Sequence, residues 1–170
     1  MSFLRRLLGR EELPEDVTLA PDERVLATGR LERGAQLVVT SHGLWLPAEQ
    51  GARRIGWHLV SKASWQNGAL TVVEAQEVET VGSAVLLTDL PPQRLRLAEP
   101  GRVPELVHVR VEGSIRSRHH RELPGGGAWF VQRKVPGRDG VVLQVRPDPG
   151  TDEGAVRQLA ADVARSLGLA

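Results

Sequence analysis

Cysteine is absent from this chain of 170 residues. Its absence excludes disulfide bonds, thiolate nucleophiles, zinc ribbons and iron–sulfur clusters. Long apolar runs are missing too. The longest uncharged stretch, residues 34–48, includes Gln36 and Thr40 and is typical of a hairpin rather than of the roughly 20 apolar residues that span a bilayer. The first ten residues, MSFLRRLLGR, lack the long apolar centre and small-residue cleavage site of a signal peptide. We therefore expect a cytoplasmic location, with the inner face of the membrane as the alternative.

A large net charge is also missing, since 22 basic residues are balanced by 21 acidic ones. This balance argues against a general nucleic-acid binder, whose domain is usually strongly basic. Hydrophobic residues make up 41% and charged residues 25% of the chain, as in ordinary globular proteins. The charge is nevertheless uneven, because eight basic and only three acidic residues lie between Arg102 and Arg138. This span is the main functional lead in the sequence.

The first two thirds of the chain predict a strand-rich region. Alternation of apolar and polar residues, broken by turn formers, predicts strands over residues 24–31, 36–40, 44–46, 55–60, 70–73, 84–88 and 94–97. The strongest local signal is Asn67-Gly68, because this dipeptide tolerates the two positive φ angles of a type I′ hairpin turn. Trp57 shares a face with Ile55 and Leu59 and is predicted to lie in the core.

Helical spacing replaces this alternation after Pro104. Apolar residues at positions 103, 106, 107, 111 and 115 predict one buried helix face. Residues 128–135 and 140–146 then predict a second strand pair around a turn-rich connection. A last helix is indicated by the apolar stripe from Val156 to Leu167, with Asp152 and Glu153 at its positive end and Gly168 after it.

Three stretches carry a resemblance to a known family. They are Glu23-Arg24-Val25-Leu26, residues 36–45 (QLVVTSHGLW) and residues 54–60 (RIGWHLV). The chain resembles bacterial pleckstrin-homology-like (PH-like) and GRAM-like domains over about residues 20–118. This resemblance implies an antiparallel barrel closed by one helix. The first hairpin loop, residues 30–34, places a glutamate between two arginines, so the resemblance does not extend to inositol-phosphate recognition. The whole chain is also similar to uncharacterised actinobacterial proteins, through residues 123–126 (LPGG) and 135–140 (VPGRDG), and this likeness implies no activity.

The predicted fold class is therefore α+β, with a PH-like antiparallel β-barrel capped by a helix and followed by a β-hairpin and a C-terminal helix. Residues 1–16 are assigned to a short amphipathic segment and tether, and residues 17–118 to the barrel with its capping helix. Residues 119–170 are assigned to a hairpin and helix packed in the same globule.

No catalytic residue, metal ligand or cofactor is predicted. Gly125-Gly126-Gly127 lacks the Lys-Ser/Thr pair and following helix of a phosphate-binding loop. His108, His119 and His120 lack the spacing of metal ligands. A serine nucleophile would need a G-x-S-x-G turn, which the sequence does not contain. Asp148 and Asp152 lack the rest of a calcium loop, and Asp152 is better explained as a helix cap.

The candidate binding residues are mostly basic. They are Arg110, Arg118, His119, His120, Arg121, Arg133, Lys134 and Arg138, together with Trp45. Such a cluster fits an acidic protein, an anionic membrane or RNA, although solvated charge is the commoner explanation of basic runs. Trp45 lies on the face opposite Leu44 and Leu46. It fits a partner anchor, with packing within the fold as the favoured alternative.

The N-terminus gives a second lead. Phe3, Leu4, Leu7 and Leu8 recur at helical spacing, with Arg5 and Arg6 between them, and these six residues predict a membrane-facing amphipathic segment. We nevertheless expect a non-enzymatic cytoplasmic binding module, with a protein partner favoured and an anionic membrane surface next. One alternative is a peripheral membrane adaptor that uses the N-terminal segment, and a second is a nucleic-acid binder or an enzyme of unknown type.

Overall fold

The structure, a computed structural model, describes residues 13–169. Within them the chain forms an α+β fold, as predicted at that level, with eleven strands and two α-helices. The strands are β1 (Val25–Leu31), β2 (Gln36–Thr40), β3 (Gly43–Pro47), β4 (Ala52–Gly56), β5 (Val60–Gln66), β6 (Ala69–Val81), β7 (Ala84–Asp89), β8 (Gln93–Glu99), β9 (Ile115–Leu123), β10 (Gly126–Lys134) and β11 (Val141–Pro147). The helices are α1 (Val103–Ser114) and α2 (Glu153–Ser166).

The strands make one open, mixed sheet. Its order is β4-β3-β2-β1-β8-β6-β7-β11-β10-β9, with β5 paired to β6 off this path. The pairs are antiparallel except β7 with β11, which run parallel over three positions. The 13-residue strand β6 links the two halves of the sheet, because its beginning pairs with β5 and β8 while its end pairs with β7.

The first half of the sheet encloses the larger hydrophobic cluster, and α1 packs against it. Val103, Val107 and Val111 recur every four residues on one face of α1, and all three are buried in this cluster. Pro104 occupies the first helical turn, where a missing N–H leaves no hydrogen bond unmade. The helix ends at Ser114 because Ile115 adopts an extended conformation and begins β9. Packing therefore holds a helix whose valines are poor helix formers.

The second cluster lies between α2 and the strands β7, β10 and β11. Val156, Ala160 and Ala164 of α2 are buried against Phe130 and Val145. The Asp152 carboxylate accepts a hydrogen bond from the backbone N–H of Ala155 at 2.8 Å, so it caps the helix as predicted. β7 belongs to this second cluster, yet it precedes β8 and α1, which belong to the first. The segments that form the two clusters therefore alternate along the sequence. The boundary predicted at residue 118 falls inside β9.

Several local predictions are confirmed and others are not. Asn67 and Gly68 have φ angles of 50° and 76° in the β5–β6 hairpin, and Trp57 is 2% exposed in the core. The strand predicted over residues 55–60 is wrong in part, because a 3₁₀ turn at Trp57–Leu59 separates β4 from β5. The predicted helix face also ends early, since Ile115 is a half-buried strand residue.

Neither helix of the described region is both long enough and apolar enough to cross a membrane.

Gly43 provides a sharp test of the packing between β3 and β4. A Cβ atom at this position would overlap the carbonyl oxygen of Ile55 on β4. We expect Gly43→Ala to lower the free energy of unfolding by about 2 kcal/mol, as overpacked sites do. Chemical denaturation measures the change. Gly113→Ala is the control, because its Cβ meets nothing within 4 Å in α1 and alanine favours a helix by about 0.5–1 kcal/mol. Equal stabilities of the two variants would contradict the assigned β3–β4 register.

Candidate functional site

The basic span of the sequence forms an edge strand. In the described part of the chain, β9 pairs with β10 on one side only. The turn at residues 124–125 reverses the chain between β9 and β10, with Gly125 at a φ of 84°. Apolar residues occupy only the ends of β9, at Ile115 and Leu123, so pairing with β10 rather than its own hydrophobic pattern holds this strand. Its outer edge presents backbone N–H and C=O groups to solvent.

The register places the two adjacent histidines on opposite faces of β9. His120 is opposite Trp129 of β10, and His119 is opposite Phe130. Phe130 belongs to the cluster under α2, so His119 lies on that side and His120 on the other. Both histidines are exposed. The pair therefore does not converge on one point, as expected from the alternation of side chains along a strand.

His120 is held by two contacts. Its Nε2 lies 2.7 Å from the Asp148 carboxylate, and its ring meets the Trp129 ring edge-on, with 5.0 Å between the ring centroids. Gly127 makes room for this arrangement, because a Cβ there would come within 2.6 Å of the His120 ring. His120 is therefore a fixed part of the surface.

The arginines of β9 carry most of its charge. Arg118 lies 4.0 Å from Glu112 of α1, with 49% of its side chain exposed, and an ion pair this long and exposed contributes little. Arg116 and Arg121 are exposed and make no ion pair with any residue that the structure describes. These three arginines, together with His119 and His120, form a basic edge beside a single carboxylate, that of Glu122; we call it the β9 edge.

The other predicted binding residues lie off this edge. Lys134 ends β10 and Arg138 lies in the following turn, both exposed and at the end of the hairpin away from His120. Arg110 is half-buried on α1. They add positive charge beyond the start of β9 but are not part of the edge.

Arg133 is placed in the interior, with 2% of its surface exposed. It donates to the carbonyl oxygens of Val60 at 2.8 Å and Trp57 at 2.7 Å, and to the Ser114 hydroxyl at 2.6 Å. Burial, followed by the charges of Arg146 and Arg118, lowers the pKa of Arg133 to about 10. Arg133 therefore joins β10 to the first cluster and is inaccessible to a partner. Sequence analysis placed it with the surface arginines because it lies in the basic span between Arg102 and Arg138.

Trp45 is half-buried and belongs to a network around Glu23. Its indole N–H donates to the Glu23 carboxylate at 2.9 Å, and the Arg54 guanidinium lies 5.6 Å from its ring centroid. Arg54 and Thr40 also donate to Glu23, at 2.5 and 2.6 Å. Burial is the largest influence on Glu23 and favours its neutral form. Hydrogen bonds from Thr40, from the backbone of Ala20 and from Trp45, with the charge of Arg54, nevertheless hold the pKa of Glu23 below its usual value. These contacts favour packing over the partner-anchor role for Trp45.

Sequence analysis missed Glu23 as the centre of this network. An acidic residue three positions after Ala20, at the start of the first predicted strand, was the only local signal. Its partners come from β2, β3 and β4, and only the folded sheet brings them together.

Among residues 13–169, no three His, Cys, Asp or Glu side chains are grouped to hold a metal ion.

The Thr151 hydroxyl accepts from the Gly127 N–H at 3.0 Å and donates to the Asp148 carbonyl at 2.8 Å, so it holds a turn beside the His120–Asp148 pair. The predicted membrane-facing residues, from Phe3 to Leu8, lie outside the described residues.

No protein-family profile, curated protein or solved structure matches the chain.

Proposed function

We propose that this protein is a non-enzymatic, cytoplasmic binding module built on a PH-like barrel, and that the β9 edge takes an extended acidic segment of a protein partner. The observation that carries this proposal is the nine-residue edge strand with three exposed arginines. The partner segment would add a strand to the sheet, so that main-chain hydrogen bonds supply affinity and side chains supply specificity.

The barrel is supported by the order in which seven strands pair, β4-β3-β2-β1-β8-β6-β5, where β5 branches from β6. Arg53 of β4 makes two hydrogen bonds, at 2.6 and 2.9 Å, with Glu74 of β6. In a flat sheet these strands would be separated by about 24 Å, at about 4.8 Å for each step between neighbours. One side chain spans this separation only if the sheet curls round. The capping position of α1 over the enclosed cluster fits the same arrangement.

The length and charge of β9 favour it over the other edges. Nine residues extend about 30 Å, enough to pair with a whole segment of a partner. β4 is shorter, and Arg53 and Arg54 are committed to Glu74 and Glu23. β5 carries a single charge, Lys62. Only β9 combines length, exposure on both faces and a surplus of positive charge.

The charge of the β9 edge also selects its partner. Charged side chains protect edge strands against self-association, and a second copy of β9 would place arginines against arginines, which is unfavourable. An acidic strand would instead place carboxylates opposite Arg118 on one face of the sheet, or opposite Arg121 on the other. The same charges therefore exclude self-pairing and favour an acidic peptide.

A pair of synthetic peptides tests this proposal with the full chain. One nine-residue peptide alternates glutamate with valine, and the other alternates lysine with valine. We expect the glutamate peptide to bind at least about tenfold more tightly, because complementary charge directs such pairing. Binding should slow amide hydrogen exchange in residues 115–123. It should also weaken as salt concentration rises, since the contacts are exposed ion pairs.

Charge reversal on the strand provides the matched comparison. The double variant Arg118→Glu/Arg121→Glu should weaken binding of the glutamate peptide by about tenfold or more. Arg33→Glu/Arg102→Glu changes the net charge equally at exposed positions off β9 and should bind nearly as the natural chain does. Equal weakening by both double variants, or no protection of the β9 amides, would refute the proposed site.

A further inference from the structure

A cavity opens where the two parallel strands separate. β7 and β11 pair only from Ala84 and Leu143 to Leu86 and Val145. Beyond these positions β7 continues beside β6 while β11 continues beside β10. The gap forms a cavity of about 700 Å³, bounded by the ends of these four strands and the first turns of α2. This volume lies within the range of small-molecule sites.

The cavity has an apolar interior and an exposed aromatic wall. Leu86, Leu87 and Val156 line it and are almost fully buried. Val78 and Trp129 also line it, yet they are 58% and 38% exposed. Two of the six large hydrophobic side chains left exposed in the described chain therefore lie at this one place. Exposed apolar surface grouped in a concavity is typical of a binding site.

The charge of the lining is negative. The charged residues that line the cavity are Glu79, Asp89, Asp148 and Glu153 on the acidic side and Arg146 and Arg157 on the basic side. Four carboxylates against two guanidinium groups leave a surplus of two negative charges among the lining residues. A ligand that enters this cavity meets a field that attracts cations.

Both guanidinium groups of the lining lie in ion pairs. Arg157 Nε lies 3.0 Å from both carboxylate oxygens of Glu79. Arg146 Nε lies 3.3 Å from Asp89, although it makes no hydrogen bond in the described structure. The positive end of α2 faces this region, but the Asp152 carboxylate already accepts from the Ala155 N–H. An anionic ligand would compete with these carboxylates and meet the surplus of negative charge, whereas a cation is attracted by that surplus.

From these features we infer that the cavity binds an organic cation with an apolar body, of the arylalkylammonium class. The apolar body contacts Leu87 and Val78, and the ammonium group lies against the Trp129 ring and the surrounding carboxylates. Aromatic faces attract ammonium groups through the negative charge above the ring. This site adjoins the β9 edge through His120, which contacts Trp129 and Asp148, but the inference does not depend on the function proposed for that edge.

Three probes with the same phenethyl body and different end groups test the inference on the full, ¹⁵N-labelled chain. They are phenethylammonium, the neutral phenethyl alcohol and the anionic 3-phenylpropionate. Indole N–H signals report each of the four tryptophans separately. We expect phenethylammonium to shift the Trp129 signal with saturation, and to bind at least about tenfold more tightly than the alcohol or the carboxylate, since it adds cation–π and ion-pair attraction. Equal affinity for the three probes, or no saturable shift at millimolar phenethylammonium, would overturn the inference.

Two tryptophan variants localise the site. Trp129→Leu keeps apolar contact but removes the aromatic face, and it should weaken phenethylammonium binding by about fivefold or more. Trp65→Leu is the matched control, because Trp65 is 39% exposed on β5, almost the same fraction as Trp129, and does not line the cavity. It should bind within about twofold of the natural chain. Indistinguishable affinities of the two variants would place any binding elsewhere. The probe series on the natural chain remains decisive if Trp129→Leu does not fold.

Discussion

Replacing Arg133 with methionine is expected to lower the free energy of unfolding by about 3 kcal/mol, at about 1 kcal/mol for each acceptor that loses a charged donor. The three close acceptors, at 2.6–2.8 Å, are the carbonyl oxygens of Trp57 and Val60 and the hydroxyl oxygen of Ser114, and the Val111 carbonyl oxygen lies farther away, at 3.4 Å. Methionine fills similar space without donating a hydrogen bond. Urea denaturation of the full chain, followed by circular dichroism, measures the loss.

Two further substitutions sharpen the test at this position. Arg133→Lys keeps a charge but lacks the planar, forked donor group, so its loss should be smaller than that of Arg133→Met. Lys134→Met alters the exposed neighbour on the same strand, and such surface changes stay within about 0.5 kcal/mol. A loss below about 1 kcal/mol for Arg133→Met would mean that water reaches these acceptors and that the two halves of the molecule are not joined there.

His58 should make the protein less stable as the pH falls. Its ring is largely enclosed, and its Nδ1 atom has no hydrogen-bond partner in the described structure. Burial, followed by the charges of Arg133, Arg138 and Arg54, lowers the pKa of His58 to about 4. An unfolded histidine takes up a proton near pH 6.5. Between about pH 6.5 and about 4 the unfolded chain therefore binds the proton more readily than the folded one, and stability declines towards the lower value. The loss over the full window is roughly 3 kcal/mol, at about 1.36 kcal/mol per pH unit.

Stability measured between pH 7 and pH 5 isolates this effect. Glu23, whose folded pKa is also lowered, contributes stability that is present above its unfolded pKa, about 4.3, and is lost at lower pH. His58→Gln removes the titrating group and should flatten the decline above pH 5. His108→Gln alters an exposed histidine on α1 and should retain the natural slope. A natural chain whose stability is constant from pH 7 to pH 5 would contradict the burial of His58.

The parts of the fold that the sequence predicts are those in which local pattern and tertiary environment agree. Asn67-Gly68 specifies a turn by its backbone preferences alone, and the four-residue spacing of Val103, Val107 and Val111 matches the face that α1 buries. In α2, Asp152 caps the helix where the pattern placed it. These features need no knowledge of distant residues.

The features that escape prediction depend on distant partners. The sequence of β9, IRSRHHREL, has polar residues at seven consecutive positions, so no alternation marks it as a strand. Its conformation follows from pairing with β10. Arg133 carries the charge of a surface residue, and its burial depends on acceptors from distant residues, the carbonyl groups of residues 57 and 60 and the Ser114 hydroxyl. The basic character of the candidate site was therefore evident in the sequence, whereas its geometry as an edge strand was not.

The hydrogen bonds of the Arg133 side chain also affect how the protein folds while it is being synthesised. Every strand and helix that encloses the first cluster precedes residue 115, so a ribosome has delivered all of them before β10 emerges. Until residue 133 arrives, the Val60 carbonyl and the Ser114 hydroxyl lack the donor that the finished protein gives them. In the partly synthesised chain, water must therefore hydrogen-bond to these two groups. They are shielded from water only when the last third of the chain has been added.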